Sequence, residues 1–203
     1  VAHKRGWTGG VEWTRKEADL SKVLGIASIV GAACVSPASW GATWYVDGTV
    51  PVAGDGTTWQ KAFKAIQAGI DAAFHGDTVI VAEATYVGTI EFRGKNIVLR
   101  STDPLDPAVV AATILDGNNA GNVVRFNSTE DKTCVLSGFT VRNANGTNGG
   151  GIIGFFNKAT IENNVITGNR ANYGGGISRC DGLIQNNTIT NNRIGTDEAG
   201  TSA

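Results

Sequence analysis

Leu136-Ser137-Gly138-Phe139-Thr140-Val141 is followed 25 residues later by Ile161-Glu162-Asn163-Asn164-Val165-Ile166, and after a further 23 by Ile184-Gln185-Asn186-Asn187-Thr188-Ile189. A second word keeps the same beat. Gly149-Gly150-Gly151-Ile152 recurs 25 residues on as Gly174-Gly175-Gly176-Ile177, and each copy lies 13 positions after its Leu or Ile. A period in the twenties is that of a solenoid, whose units bury a core only by stacking on their neighbours. Leucine-rich repeats share the period but need several leucines per unit and usually a helix. Here the units offer short β-branched pieces separated by Asn and Gly. In the second copy the pieces are 151–153, 159–162 and 165–167, so the expected fold is all-β, a parallel solenoid with three strands per coil.

Stacking the coils at about 4.8 Å lays Asn163 over Asn186 and Asn164 over Asn187. Asn also tolerates the left-handed turn conformation and bonds locally to backbone. These pairs are therefore read as structural ladders. On the Gly-Gly-Gly-Ile and Ile-x-Asn-Asn-x-Ile-Thr words the chain resembles the right-handed parallel β-helix proteins of the pectin-lyase-like superfamily, over about residues 43 to 195. What the resemblance implies is a secreted fold whose members are mostly polysaccharide lyases and glycoside hydrolases. The lyases use an Arg or Lys base with Ca²⁺ held by acidic ligands, and the hydrolases use clustered Asp carboxylates. This chain has no Asp-x-Asp or Asp-Asp word, and its two histidines are His3 and His75. No cofactor is evident, and Ca²⁺ enters only under the lyase reading.

Upstream of the repeats, residues 1–42 are read as a leader. The apolar run 23–35 follows Lys22 and precedes Ser36-Pro37-Ala38 and Ser39-Trp40-Gly41, a secretory signal pattern shorter than the about 20 residues a spanning helix needs. Export, from a bacterium, to the medium or the cell surface is expected, with lipid anchoring at Cys34 as an alternative. Val1 is not an initiating Met, so the numbering begins at an alternative start codon or within a longer chain. The domain then runs 43–203, with a cap at 43–76 and coils at 77–195. An amphipathic helix is expected near 58–74, with Thr57 or Thr58 capping it, Trp59, Ala62, Phe63, Ile66, Ile70 and Ala73 on one face, and Gly76 ending it beside an exposed His75. Such a helix would cover the open first coil. Asp103-Pro104-Leu105-Asp106-Pro107 reads as a projecting loop. At 197, where a third Gly-Gly-Gly-Ile is due, stands Asp197-Glu198-Ala199-Gly200, so the repeat is expected to be cut short there or to give way to a polar tail.

Strand alternation assigns the faces. With Leu136, Ile161 and Ile184 inward, Ser137, Glu162 and Gln185 point out. With Val141, Ile166 and Ile189 inward, Arg142, Thr167 and Thr190 point out. The candidate substrate-binding residues are Arg142 and Glu162, with Arg170, Arg179 and Arg193 on adjacent turns, while Asp116 and Asp181, each before a Gly, read as turn residues. A flat polar β-face bearing Arg suits acidic polysaccharide, because guanidinium forks match carboxylates. The net charge of -1, with scattered basic residues, excludes a nucleic-acid footprint, and a monomer is expected. Two functions stand side by side: a secreted or surface module contacting polysaccharide, as the N-terminal part of a lyase or hydrolase or as a binder, and a non-catalytic adhesin or structural repeat protein. Cys134 and Cys180 fall two coils apart, roughly 9.6 Å along the axis from strand spacing alone, beyond the about 6.8 Å limit for disulfide Cα atoms, so two free thiols are expected.

Overall fold

The computed structural model describes residues 41–195. The expectations for the signal segment, for Cys34 and for Asp197–Gly200 lie outside the described residues. Every pairing between the named strands is parallel, in four sheets. Sheet 1 runs Thr43–Val46, Thr78–Val81, Val98–Ser101, Val135–Ser137, Thr160–Glu162, Ile184–Gln185. Sheet 2 runs Ala84–Val87, Thr113–Asp116, Thr140–Arg142, Val165–Thr167, Thr188–Thr190. Sheet 3 holds Asn145–Asn148, Arg170–Tyr173 and Arg193–Ile194, and sheet 4 holds Ile90–Glu91, Val124–Arg125, Ile152–Asn157 and Ile177–Cys180. From Thr78 the chain visits these sheets in a fixed order and then begins again. This all-β, parallel arrangement is compatible with a parallel β-helix.

The repeat words set the register as expected: Leu136 pairs with Ile161 and Ile161 with Ile184, Val141 with Ile166 and Ile166 with Ile189, and Ile152 with Ile177. The three-strand coil needs correction. From Val135 onward each full pass has a fourth strand, in sheet 3. Its segments are polar, with Ala171 as the inward apolar residue of Arg170–Tyr173, so backbone pairing rather than side-chain pattern makes them strands.

The corners explain the Asn and Gly content. Between sheets 1 and 2 the chain turns on one left-handed residue, Gly138 (φ 83°), Asn163 (57°) or Asn186 (53°), and between sheets 2 and 3 on Asn143 (57°), Gly168 (65°) or Asn191 (56°). Gly and Asn are the residues that occupy this region at least cost. The next residue in each corner points inward. Asn164 is 1% exposed; its Nδ2 donates to the carbonyls of Leu136 (3.1 Å) and Glu162 (2.8 Å), and its Oδ1 accepts from the Phe139 N–H at 3.0 Å. Asn187 repeats this one pass on, accepting from the Asn164 N–H at 2.9 Å and donating to the Ile161 carbonyl at 2.8 Å. Asn169 and Asn192 form a second such column beside Ala144. Buried corner backbone thus finds partners in side-chain amides of the next pass.

Inside lie Val79, Val81, Leu99, Leu136 and Ile161 from sheet 1, with Leu115, Val141 and Ile166 from sheet 2 and Val124 and Ile152 from sheet 4. Phe92 and Phe126 stack with ring centroids 4.4 Å apart. Each large side chain so buried contributes roughly 1.5–3 kcal/mol. The inward residues Ile184, Ile189 and Ile194 of the final pass are exposed, with no strand beyond them among the described residues.

The cap is shorter than expected. A 3-10 turn, Trp59–Lys61, is separated from helix α1, Ile66–Ala72, by extended backbone. Phe63 interrupts the helix because its N–H donates to the Tyr45 carbonyl (2.9 Å) and its carbonyl accepts from Asp47 (2.8 Å), and Thr58 makes no side-chain capping bond. Ile66 and Ile70 are buried, whereas Trp59 rests half-covered on Tyr45. Lys95 Nζ donates to the carbonyls of Ile70, Asp71 and Ala73, all at 2.8 Å, where a cation suits the helix end. Asp77 ties down the first strand, accepting from Ala42 N–H, Trp44 Nε1 and Phe74 N–H. Burial pushes its carboxyl up, but those bonds and Lys95 outweigh the effect and hold it below the usual range.

Residues 103–107 are an exposed turn, Leu105 being 78% exposed, that leads into helix α2, Pro107–Ala112. Asp106 caps this helix, accepting from Ala108 N–H at 2.8 Å, and the helix lies by the corner of sheets 1 and 2, where Thr140 Oγ1 donates to the Val110 carbonyl. Ser137, expected on an exposed column, is covered to 4% exposure. Asp116 is not a simple turn residue either: it ends the strand Thr113–Asp116 and is buried. Cys134 and Cys180 are both free.

Candidate functional site

The five sequence-derived candidates fall on all four sheets. Glu162 lies on sheet 1, where Gln185 Nε2 donates to its Oε2 at 2.7 Å. Arg142 lies on sheet 2, and its Nε donates to Asp116 Oδ2 at 2.9 Å. Burial pushes Asp116 up, but Asn118, Arg142 and Asn143 outweigh it and hold the carboxyl below the usual range. Arg142, two-fifths exposed, is therefore engaged by a carboxylate of its own chain that stabilises its charge. These two residues sit away from the other three.

Arg170 and Arg193 are brought together. They are register partners in sheet 3, one strand spacing apart, and line a polar depression of about 380 Å³ with Asn119, Asn145, Asn169 and Asn191. Arg170 Nε donates to the Gly195 carbonyl at 3.1 Å. Asn145 also lines the neighbouring depression, about 340 Å³, where Arg179 meets Arg125, Asn122, Ile153 and Phe155. The two hollows thus share a wall and carry four arginines. Arg125 is paired with Glu91 at 3.4 Å, and both partners are more than two-fifths exposed, so that pair is weak.

Arg125 and Phe155 were not legible as site residues. Arg125 pairs with Glu91 and Ile153 on the outer column of sheet 4, and its guanidinium lies 5.9 Å from the Phe155 ring centroid, within cation–π range. Phe155 lies in a β-bulge, where the register with Ile177–Cys180 shifts between Ile153 and Asn157. Nothing in the apolar pattern announces that irregularity.

The linings offer forked donors over a polar, amide-lined floor, with an aromatic face at one end, a set of groups chemically suited to anions. Among the described residues no group of three or more His, Cys, Asp or Glu side chains lies close enough to hold a metal ion. Glu91, Asp116 and Glu162 are each held by a neighbouring side chain, and they stand on different sheets. The donor set for Ca²⁺ that the lyase resemblance implies is not assembled among the described residues. His75 is exposed and accepts a hydrogen bond from Asn96 N–H. No helix among the described residues is long and apolar enough to cross a membrane. Comparison with protein-family models, with curated proteins and with solved structures finds no match for this chain.

Proposed function

We propose that the chain is a right-handed parallel β-helix of the pectin-lyase-like kind, exported to the medium or the cell surface, that binds acidic polysaccharide along sheets 3 and 4. The observation that carries this reading is the stacking of Arg170 on Arg193 beside the hollow that holds Arg125 and Arg179. In-register strands repeat cationic forks at about 4.8 Å, a spacing suited to a polymer carrying a carboxylate on each sugar. The apolar run 23–35 after Lys22 supports export. The depressions are shallow and open, as a groove for an extended polymer must be.

The test is affinity electrophoresis of the full chain. Retardation in polygalacturonate and none in a neutral glucan is expected, with the shift weakening as salt screens the arginines. Replacing both Arg170 and Arg193 by Ala should abolish most of it. Equal mobility in both gels overturns the reading. The second reading, a non-catalytic surface spacer, is favoured by the uninterrupted Asn columns and would then take its place. A parallel assay for unsaturated product, with and without Ca²⁺, separates binding from lyase turnover.

A further inference from the structure

Phe155 (φ 44°) and Phe156 (φ 65°) are consecutive bulky residues in the left-handed region. Such a conformation is strained for a bulky residue and persists where its surroundings impose it. The surroundings here are visible. Asn157 is fully buried; its Nδ2 donates to the Gly154 carbonyl and its Oδ1 accepts from Ala159 N–H, both at 2.9 Å, which clamps the bulge from both ends. Gly154 has no room for a side chain, because a Cβ there would stand 2.4 Å from the Arg179 carbonyl oxygen. Burial of the Phe156 ring does not offset the strain, since that residue is 64% exposed, whereas Phe155 is mostly covered. The bulge instead sets the Phe155 ring in the wall of the hollow, with Arg125 near its face and Arg179 and Asn122 alongside. Asn122 is held in place by its Nδ2 donating to the Gly149 and Asn148 carbonyls.

We infer that Phe155, Arg125 and Arg179 form a discrete subsite for one anionic sugar unit, with the apolar face of the sugar ring on Phe155 and its carboxylate on the guanidinium groups. The inference rests on the acidic-polysaccharide reading and sharpens it, because the Arg170–Arg193 hollow has no aromatic side chain in its lining and distinguishes charge alone. The volume of about 340 Å³ lies at the lower end of small-ligand sites, about 300–1,000 Å³. Arg125 reaches a ligand by leaving Glu91, the half-exposed partner 3.4 Å away. Charge and ring together select a uronate over a neutral sugar of the same shape.

Calorimetric titration of the full chain with an oligogalacturonate of defined length, and with a neutral oligosaccharide of equal length, tests it. Phe155→Asn removes the ring but suits the left-handed backbone, so the variant should melt no lower than wild type while binding the oligogalacturonate about tenfold more weakly. Arg125→Gln, on the surface, should weaken binding to a similar extent. A folded Phe155→Asn protein of unchanged affinity overturns the subsite, and if the Arg170→Ala, Arg193→Ala double variant then loses binding, the broader reading survives without it. Wild-type protein that binds neither oligosaccharide overturns both.

Discussion

Between Ala84 and Phe126 the chain stacks its strands by one means, and between Leu136 and Ile194 by another. The earlier passes fill their interior with large side chains, Tyr86, Phe92, Ile97, Leu99 and the stacked Phe126, and one of them crosses from sheet 1 to sheet 2 by a helix-bearing excursion through Pro107–Ala112. The later passes turn on a single left-handed Asn or Gly, and from Asn164 onward the residue after it sends an amide inward. The transition is visible in one column: Phe139 sits at the corner in one pass, and Asn164 and Asn187 occupy it in the next two, joined by the bond from Phe139 N–H to Asn164 Oδ1. Parallel stacking thus tolerates either apolar filling or amide ladders. The ladder permits short, regular corners, and short corners leave the flanking sheet faces open on the side where Arg170 and Arg193 lie.

The comparison breaks most visibly in the apolar half. Phe126→Ala should cost about 3–5 kcal/mol in urea unfolding, the penalty of a cavity beside Phe92. In the ladder half, Asn164→Ala strands the Leu136 and Glu162 carbonyls and the Phe139 N–H, and we expect about 3 kcal/mol, far above the cost of losing a surface amide. A loss below about 1 kcal/mol would mean that the ladder is decorative. Acid should act on the cap, through Asp77, and on the seam between the halves, where Asp116 accepts from Arg142 and Asn143. Asp77 and Asp116 have carboxyls held below the usual range, so their contribution is complete above a pH of about 4 and is lost as pH falls through their lower folded values. Asp116→Asn should flatten that acid limb of a pH–stability profile, and an unchanged limb would place the dependence elsewhere. The smallest effect belongs to the outer corner residue: Asn163→Gly should shift stability by less than about 0.5 kcal/mol, whereas Asn163→Ala, forced into φ 57°, should cost about 1 kcal/mol.

The Ile-x-Asn-Asn and Gly-Gly-Gly-Ile words carried the parallel register because inward apolar residues and corner Asn recur at one spacing. The fourth strand was illegible, since Asn145–Asn148 and Arg170–Tyr173 lack a β-branched alternation and are strands by backbone pairing alone. The cap helix misled by its periodicity: Phe63 fits a helical face yet its backbone pairs with Tyr45 and Asp47, a tertiary contact that local pattern does not encode. At the site, Arg170 and Arg193 were expected on turns, whereas they lie on paired strands of sheet 3, so their pairing depended on the unseen strand. Phe155 lies outside the expected strand pieces 151–153 and 159–162, and a bulge leaves no mark in a hydrophobic pattern. The free thiols followed from register, and burial now raises the pKa of both Cys134 and Cys180, so neither is poised to react.

Everything proposed for sheets 3 and 4 depends on Arg170 lying one strand from Arg193. The Arg170→Cys, Arg193→Cys double variant, oxidised and mapped by mass spectrometry of its peptides, measures this. In-register partners about 4.8 Å apart fall inside the about 4.4–6.8 Å window for disulfide Cα atoms. The register predicts a 170–193 crosslink in the native protein, with Cys134 and Cys180 still free. Absence of that link, or efficient linkage in a control joining 170 to 191 instead, would contradict the stacking on which the site is built.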